Sequence, residues 1–91
     1  MFTISAQLTY YIAHSASLKD KRQVSRSLID KLQKRFNASI AEVGTQDQHQ
    51  TLTIGIAVIS GDINHARHSL DKIIRFAEEH GDAELIEVGI V

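Results

Sequence analysis

SLKDKRQVSRSLIDKLQKRFN, residues 17 to 37, carries the firmest helical signal in this chain of 91 residues, and its reading orders the segments on either side. Val24, Leu28 and Leu32, flanked by Leu18, Ile29 and Phe36, recur at the three- and four-residue intervals that gather side chains on one helical face. Such a face must be buried against something. Ser17 stands three residues before Asp20, so its hydroxyl is placed to accept from the Asp20 amide while the carboxylate reaches back, a capping-box start that also complements the helix dipole. At the other end Asn37 is suited to a left-handed cap. The same stretch holds seven lysines and arginines against Asp20 and Asp30, a net charge of +5, whereas the chain from Ala38 onward sets three bases against nine acids, a net of −6.

Working outward, Phe2, Ile4, Ala6, Leu8, Tyr10 and Ile12 alternate with polar or small residues, the two-residue period of a half-buried strand, and His14 to Ala16 connects it to the helix. On the other side, residues 38 to 44 (ASIAEVG) read as a weaker, edge strand, and the apolar-free run from Gly44 to Gln50 reads as a hairpin loop. Leu52, Ile54, Ile56 and Val58 alternate with Thr51, Thr53, Gly55 and Ala57 in a third strand as regular as the first. Ser60-Gly61-Asp62 supplies a turn with two N-cap candidates. Ile63, Ala66, Leu70, Ile73, Ile74 and Ala77 then trace a second amphipathic helix that His80-Gly81 ends. Ile86, Val88 and Ile90 alternate with Leu85, Glu87 and Gly89 in a last strand.

The order is β-α-β-β-α-β, the ferredoxin-like arrangement of the α+β class. Right-handed crossovers place the first and third strands in the middle of an antiparallel sheet, the second and fourth at its edges, and both helices on one face as a two-layer sandwich. The length suits a single domain over residues 1–91. A hydrophobic share of 43% with 23% charged residues is that of a globular protein, too apolar for a disordered one. The net charge of −1 argues against a chain that coats nucleic acid indiscriminately, so any polyanion contact must come from the local basic helix. With no cysteine there is no disulfide framework, thiolate metal site or iron–sulfur cluster. Residues 1 to 14 have no basic region ahead of a continuous apolar run, and so read as neither signal peptide nor membrane span. The expected location is the cytoplasm, with no membrane association and no cofactor.

SLKDKR at residues 17 to 22, RFNASIAEVG at 35 to 44 and the Gln46-Asp47 pair, together with the second helix and the final strand, resemble the YlxP-like family of small bacterial proteins of unknown function. The chain departs from the family pattern at His49, where relatives commonly carry tryptophan. The resemblance spans nearly all of the sequence. It implies a ferredoxin-like fold and gene neighbourhoods shared with transcription and translation factors, which is association and not mechanism.

Lys19, Arg22, Arg26, Lys31, Lys34 and Arg35 are the candidate RNA-binding residues, since clustered lysines and arginines on one exposed surface are the usual footprint of a phosphate backbone. The plainer alternative is a solvated face on which Arg26, Asp30 and Lys34 pair at helical spacing. Ser17 and Lys21, beside the free amides of the helix start, are candidates for anion binding, although Asp20 competes for those amides. His65 and His68 lie three apart without a third ligand at useful spacing, which is the pattern of exposed histidines and not of a metal site. The side chains of residues 46 to 50 are expected in a mobile or interface loop that binds no metal.

Missing parts exclude several activities found on such folds. An acylphosphatase needs a phosphate-cradling loop with arginine after the first strand, where this chain has His14-Ser15-Ala16. Base stacking on the sheet needs aromatics on the third strand, where Thr51, Thr53, Gly55, Ala57 and Ile59 stand. No reaction is indicated, and two readings follow: a non-enzymatic module touching the ribosome or other structured RNA through the basic helix, or a protein-interaction module working through its open sheet face. For the second, Thr3, Ser5, Gln7, Thr9, Thr51, Thr53, Gly55, Leu85 and Gly89 are expected on the uncovered face. Ile59, Leu85 and Val91 are expected to supply the apolar contact of a two-fold homodimer.

Overall fold

Alternating apolar strands bury one face only if something covers it, and here two amphipathic helices do so. A computed structural model describes residues 1–80 and 83–91. It has β1 (Phe2–Tyr11), α1 (Leu18–Arg35), β2 (Ser39–Glu42), β3 (Thr51–Ser60), α2 (Ile63–His80) and β4 (Glu84–Ile90) in that order. The strands form one antiparallel sheet with spatial order β2-β3-β1-β4, so the two regular strands are central and the others are edges, as expected.

β1 and β3 pair without interruption from Phe2 opposite Ser60 to Tyr11 opposite Thr51. That register aligns Ala6, Leu8 and Tyr10 with Ile56, Ile54 and Leu52 on one side, where all six are buried. Leu28 and Leu32 from α1 and Ala66, Leu70, Ile73 and Ala77 from α2 complete the core. At their C-terminal and adjoining turns the helices meet through Phe36 and Phe76, edge to face with ring centroids 5.6 Å apart.

β4 contains a bulge. Thr9 lies opposite Glu87 but Tyr10 lies opposite Leu85, so Ile86 is the extra residue, and the alternation of the strand reverses across it. Leu85, expected on the open face, therefore points to the helix side and packs against the core. Val88 and Ile90 also share the core side with Leu8 and Ala6, yet 44% and 67% of their surface stays exposed because the helices stop short of this edge.

The helix ends show which local signals were sufficient. Ser17 adopts an extended conformation, φ −156° and ψ 166°, as the N-cap of α1. At the C-terminus Phe36 turns directly into extended backbone, φ −125° and ψ 146°, with its N–H still donating to Leu32 O. Asn37 does not take the left-handed conformation expected of it, because the chain must run straight into β2. Asp62 caps α2, its Oδ1 accepting from Asn64 N–H at 2.9 Å and its backbone oxygen from Ala66 N–H at 3.1 Å. The glycine cap expected at Gly81 lies outside the described residues.

Candidate nucleic-acid interface

The start of α1 uses its own polar groups. Ser17 Oγ accepts from the Asp20 amide at 3.1 Å, and Asp20 Oδ2 accepts from the Ala16 amide at 2.9 Å, a reciprocal box that leaves the Ser17 hydroxyl committed to the cap. Lys21 is not at the surface at all: only 2% of it is exposed. It falls on the inner stripe of the helix with Ser25, Leu28 and Leu32, and its ammonium donates to the backbone oxygens of Thr45 and Gln48 and meets Glu42 Oε2 at 3.0 Å. The two carbonyls take hydrogen bonds from the ammonium, and the carboxylate meets it as an ion pair, Glu42 Oε2 having no hydrogen-bond partner among the described residues. The anion site expected at Ser17 and Lys21 is thus corrected, since the cation is buried, paired with Glu42 and bonded to two hairpin carbonyls. The sign was present in the sequence, because Lys21, Leu28 and Leu32 share one helical face.

That lysine holds an unusual backbone. Gly44 and Thr45 both have positive φ, 65° and 49°, which glycine accepts readily and a β-branched residue does not. Thr45 O accepts from Gln48 N–H at 3.1 Å as well as from Lys21, and Thr45 Oγ1 lies 3.0 Å from Thr53 Oγ1. Gln50 O accepts from Ile12 N–H at 2.9 Å. The loop is therefore latched to α1 and β1, while the side chains of Gln46, Asp47, Gln48 and His49 point to solvent.

The six cations proposed for RNA are all exposed, but they do not form one patch. Lys19, Arg22 and Arg26 lie along one stripe at i, i+3 and i+7. Lys31 and Arg35 lie on the flank towards α2, where Lys31 Nζ approaches His80 O at 3.5 Å and the Arg35 guanidinium sits 4.8 Å from the Phe76 ring centroid. Lys34 pairs with Asp30 at 3.0 Å across one turn. Sequence reasoning missed the contribution of α2: His65, Ser69 and Lys72 face Arg35 and Asn37 across a cleft of about 460 Å³ between the helices.

On the uncovered side of the sheet, Ser5, Gln7, Ser39, Ala41, Gly55 and Ala57 form a floor of mostly small side chains. A Cβ at Gly55 would stand 3.1 Å from Val43 Cγ1, so the absence of a side chain there lets β2 curl over β3. Ile59 and Val91 are 60% and 76% exposed. In the core, the Tyr10 hydroxyl has no hydrogen-bond partner among the described residues, and burial, with a smaller contribution from Glu78, pushes its ionisation up to about 12. Among the described residues no three metal-binding side chains gather, and no helix is long and apolar enough to cross a membrane.

Element order, sheet topology and a helical layer carrying the exposed bases define a small ferredoxin-like α+β protein. It belongs to the family described as protein of unknown function (DUF503), which matches residues 3–90. It is 32% identical over 79 residues to the uncharacterized protein YlxP of Bacillus subtilis (strain 168), a match covering 87% of this chain and 86% of that protein.

Proposed function

We propose that this protein is a non-enzymatic cytoplasmic module that contacts the ribosome or other structured RNA through the solvent side of α1. The observation that carries the reading is the stripe Lys19, Arg22 and Arg26. It is exposed along its length, while the two acids of the helix are engaged elsewhere, Asp20 in the N-terminal box and Asp30 with Lys34. A short run of bases without an ion-pair partner among the described residues suits weak, backbone-directed contact and not sequence-specific recognition. The reading is tested by titrating fluorescent structured RNA at low and moderate salt. Salt-dependent binding that weakens in the Arg22→Gln, Arg26→Gln double variant is the expected result, and absence of salt-dependent binding rejects it.

A second reading, an interaction module assembling through its sheet, is favoured by β4. Ile86, Val88 and Ile90 are 56%, 44% and 67% exposed on an edge strand with free backbone donors and acceptors. A two-fold axis through Val88 would bring Ile86 opposite Ile90 of the second copy and Glu87 opposite Gly89, keeping like carboxylates apart. Ile59 and Val91 remain candidates for a homodimer that pairs through the open face instead of the β4 edge, and Leu85, turned to the helix side, is not one.

A further inference from the structure

We propose that the cleft between the C-terminal turn of α1 and the first half of α2 binds a nucleotide, its phosphate held by Lys72, His65 and Arg35 and its nucleoside resting on an apolar floor. This site is on another surface from the α1 stripe and does not depend on that stripe binding RNA.

Arg35 and Lys72 line one cleft, with the His65 imidazole, the Ser69 hydroxyl and the Asn37 amide as further polar groups, and among the described residues no aspartate or glutamate lines it. Asp71, although adjacent to Lys72 in sequence, lines the opposite flank of α2 with Arg67. Neither Arg35 nor Lys72 has an ion-pair partner within 4.0 Å among the described residues. Two like charges lining one cleft without a counter-ion repel each other, and an anion bound there relieves that repulsion while accepting charge-assisted hydrogen bonds.

Three further features narrow the class of anion. The Arg35 guanidinium lies over the Phe76 ring at 4.8 Å and near that of Phe36 at 5.9 Å, so it is held in orientation before any ligand arrives. The apolar surface of the cleft is half-buried Phe36 and exposed Ile59, backed by Val58 and Ile73 in the core, and apolar backing strengthens an electrostatic interaction above it. The volume, about 460 Å³, lies within the ordinary range of small-molecule sites, which join an apolar lining to a few convergent polar groups. An inorganic ion would use the cations and leave the floor wet. A nucleotide uses both.

The test uses the whole protein and two-dimensional amide spectra, with inorganic phosphate, adenosine 5′-monophosphate and a short single-stranded oligoribonucleotide as probes. The mononucleotide is expected to shift the Ser69, Lys72 and Ile73 amides saturably and to bind more tightly than phosphate. Lys72→Gln and His65→Gln, which remove exposed side chains without opening the core, are each expected to weaken it about tenfold, the scale of one charge-assisted hydrogen bond. Arg22→Gln leaves it unchanged. Competition by the oligoribonucleotide identifies an RNA strand as the source of the nucleotide, and lack of competition identifies the free nucleotide; both outcomes uphold the site. Mononucleotide shifts that do not saturate, affinity no better than that of phosphate, or binding untouched by both substitutions would overturn it. Because Arg22 and Arg26 lie outside the cleft, loss of RNA binding in their variants with the nucleotide shifts intact separates the two proposals.

Discussion

A lysine carries its charge into the core only when it is paired and hydrogen-bonded, and Lys21 is both, through two loop carbonyls and the ion pair with Glu42. Replacing it with methionine keeps the aliphatic stem but strands Glu42 and the oxygens of Thr45 and Gln48. The expected loss is about 3–5 kcal/mol, the scale for breaking a buried pair, measured by urea unfolding. Lys21→Arg is not expected to restore it, because a planar fork cannot address three separately placed acceptors. Tyr10 makes the opposite case, a buried hydroxyl with nothing to bond. Tyr10→Phe is expected to gain about 1 kcal/mol at neutral pH by removing an unmet polar group. The phenol also couples stability to alkali: the unfolded chain releases the proton from pH 10, the folded chain only near 12, so stability falls as pH rises through that window. The loss approaches about 2 kcal/mol, and melting curves of the two proteins should diverge between pH 10 and 12, the tyrosine protein losing more. Helical spacing puts Lys21 on the face of Leu28 and Leu32, but neither the acceptors that meet it nor the unpartnered Tyr10 hydroxyl is legible in the sequence. Charge sends a lysine to the surface by default, and the carbonyls that capture Lys21 belong to a backbone turn that no side chain announces.

At the scale of the element, α1 has two unlike faces, with Leu28 and Leu32 in the core and Lys19, Arg22 and Arg26 in solvent. If each of these three meets a phosphate, removing one should lower the slope of log affinity against log salt by about 0.7–0.9, uniformly across RNA sequences, as read from titrations at several salt concentrations. A substitution that changed affinity for one sequence and spared others would contradict the backbone-directed reading. All six elements could be read from periodicity and caps, since each presents its own apolar rhythm. β4 could be read only in part: the period of two is right on each side of Ile86 but the phase changes there, and a bulge depends on how a strand meets its neighbour. Likewise the cleft of Arg35, His65 and Lys72 joins two helices separated by two strands, so spacing along either helix does not reveal it.

For the molecule as a whole, the two edges are unequal. β2 is short, and Val43 folds over Gly55 beside it; β4 is longer, exposes Ile86, Val88 and Ile90 between its two glutamates, and has no lysine or proline to guard the edge. A dimer through β4 is therefore expected in light scattering at micromolar concentration, and Val88→Lys, which sets two ammonium groups across the axis, should return it to monomer. Ile59→Asp acts on the open face and Arg26→Ala on the helical layer, so both should leave an edge-paired dimer intact. A monomeric mass at every concentration would end this assembly.

The pairing of β1 with β4 has a mechanical consequence. Val91 donates to Ser5 O at 3.0 Å and Ser5 Oγ donates to Val91 O at 3.1 Å, so the last residue is fastened beside the beginning of the first strand. Tension applied between Met1 and Val91 acts at one pole of two antiparallel neighbours, across the direction of the strands and along their hydrogen bonds. Those bonds then bear the load singly and in succession, as in a zip, and not together as in shear. β4 peels away first, at low force, leaving β1 paired to β3.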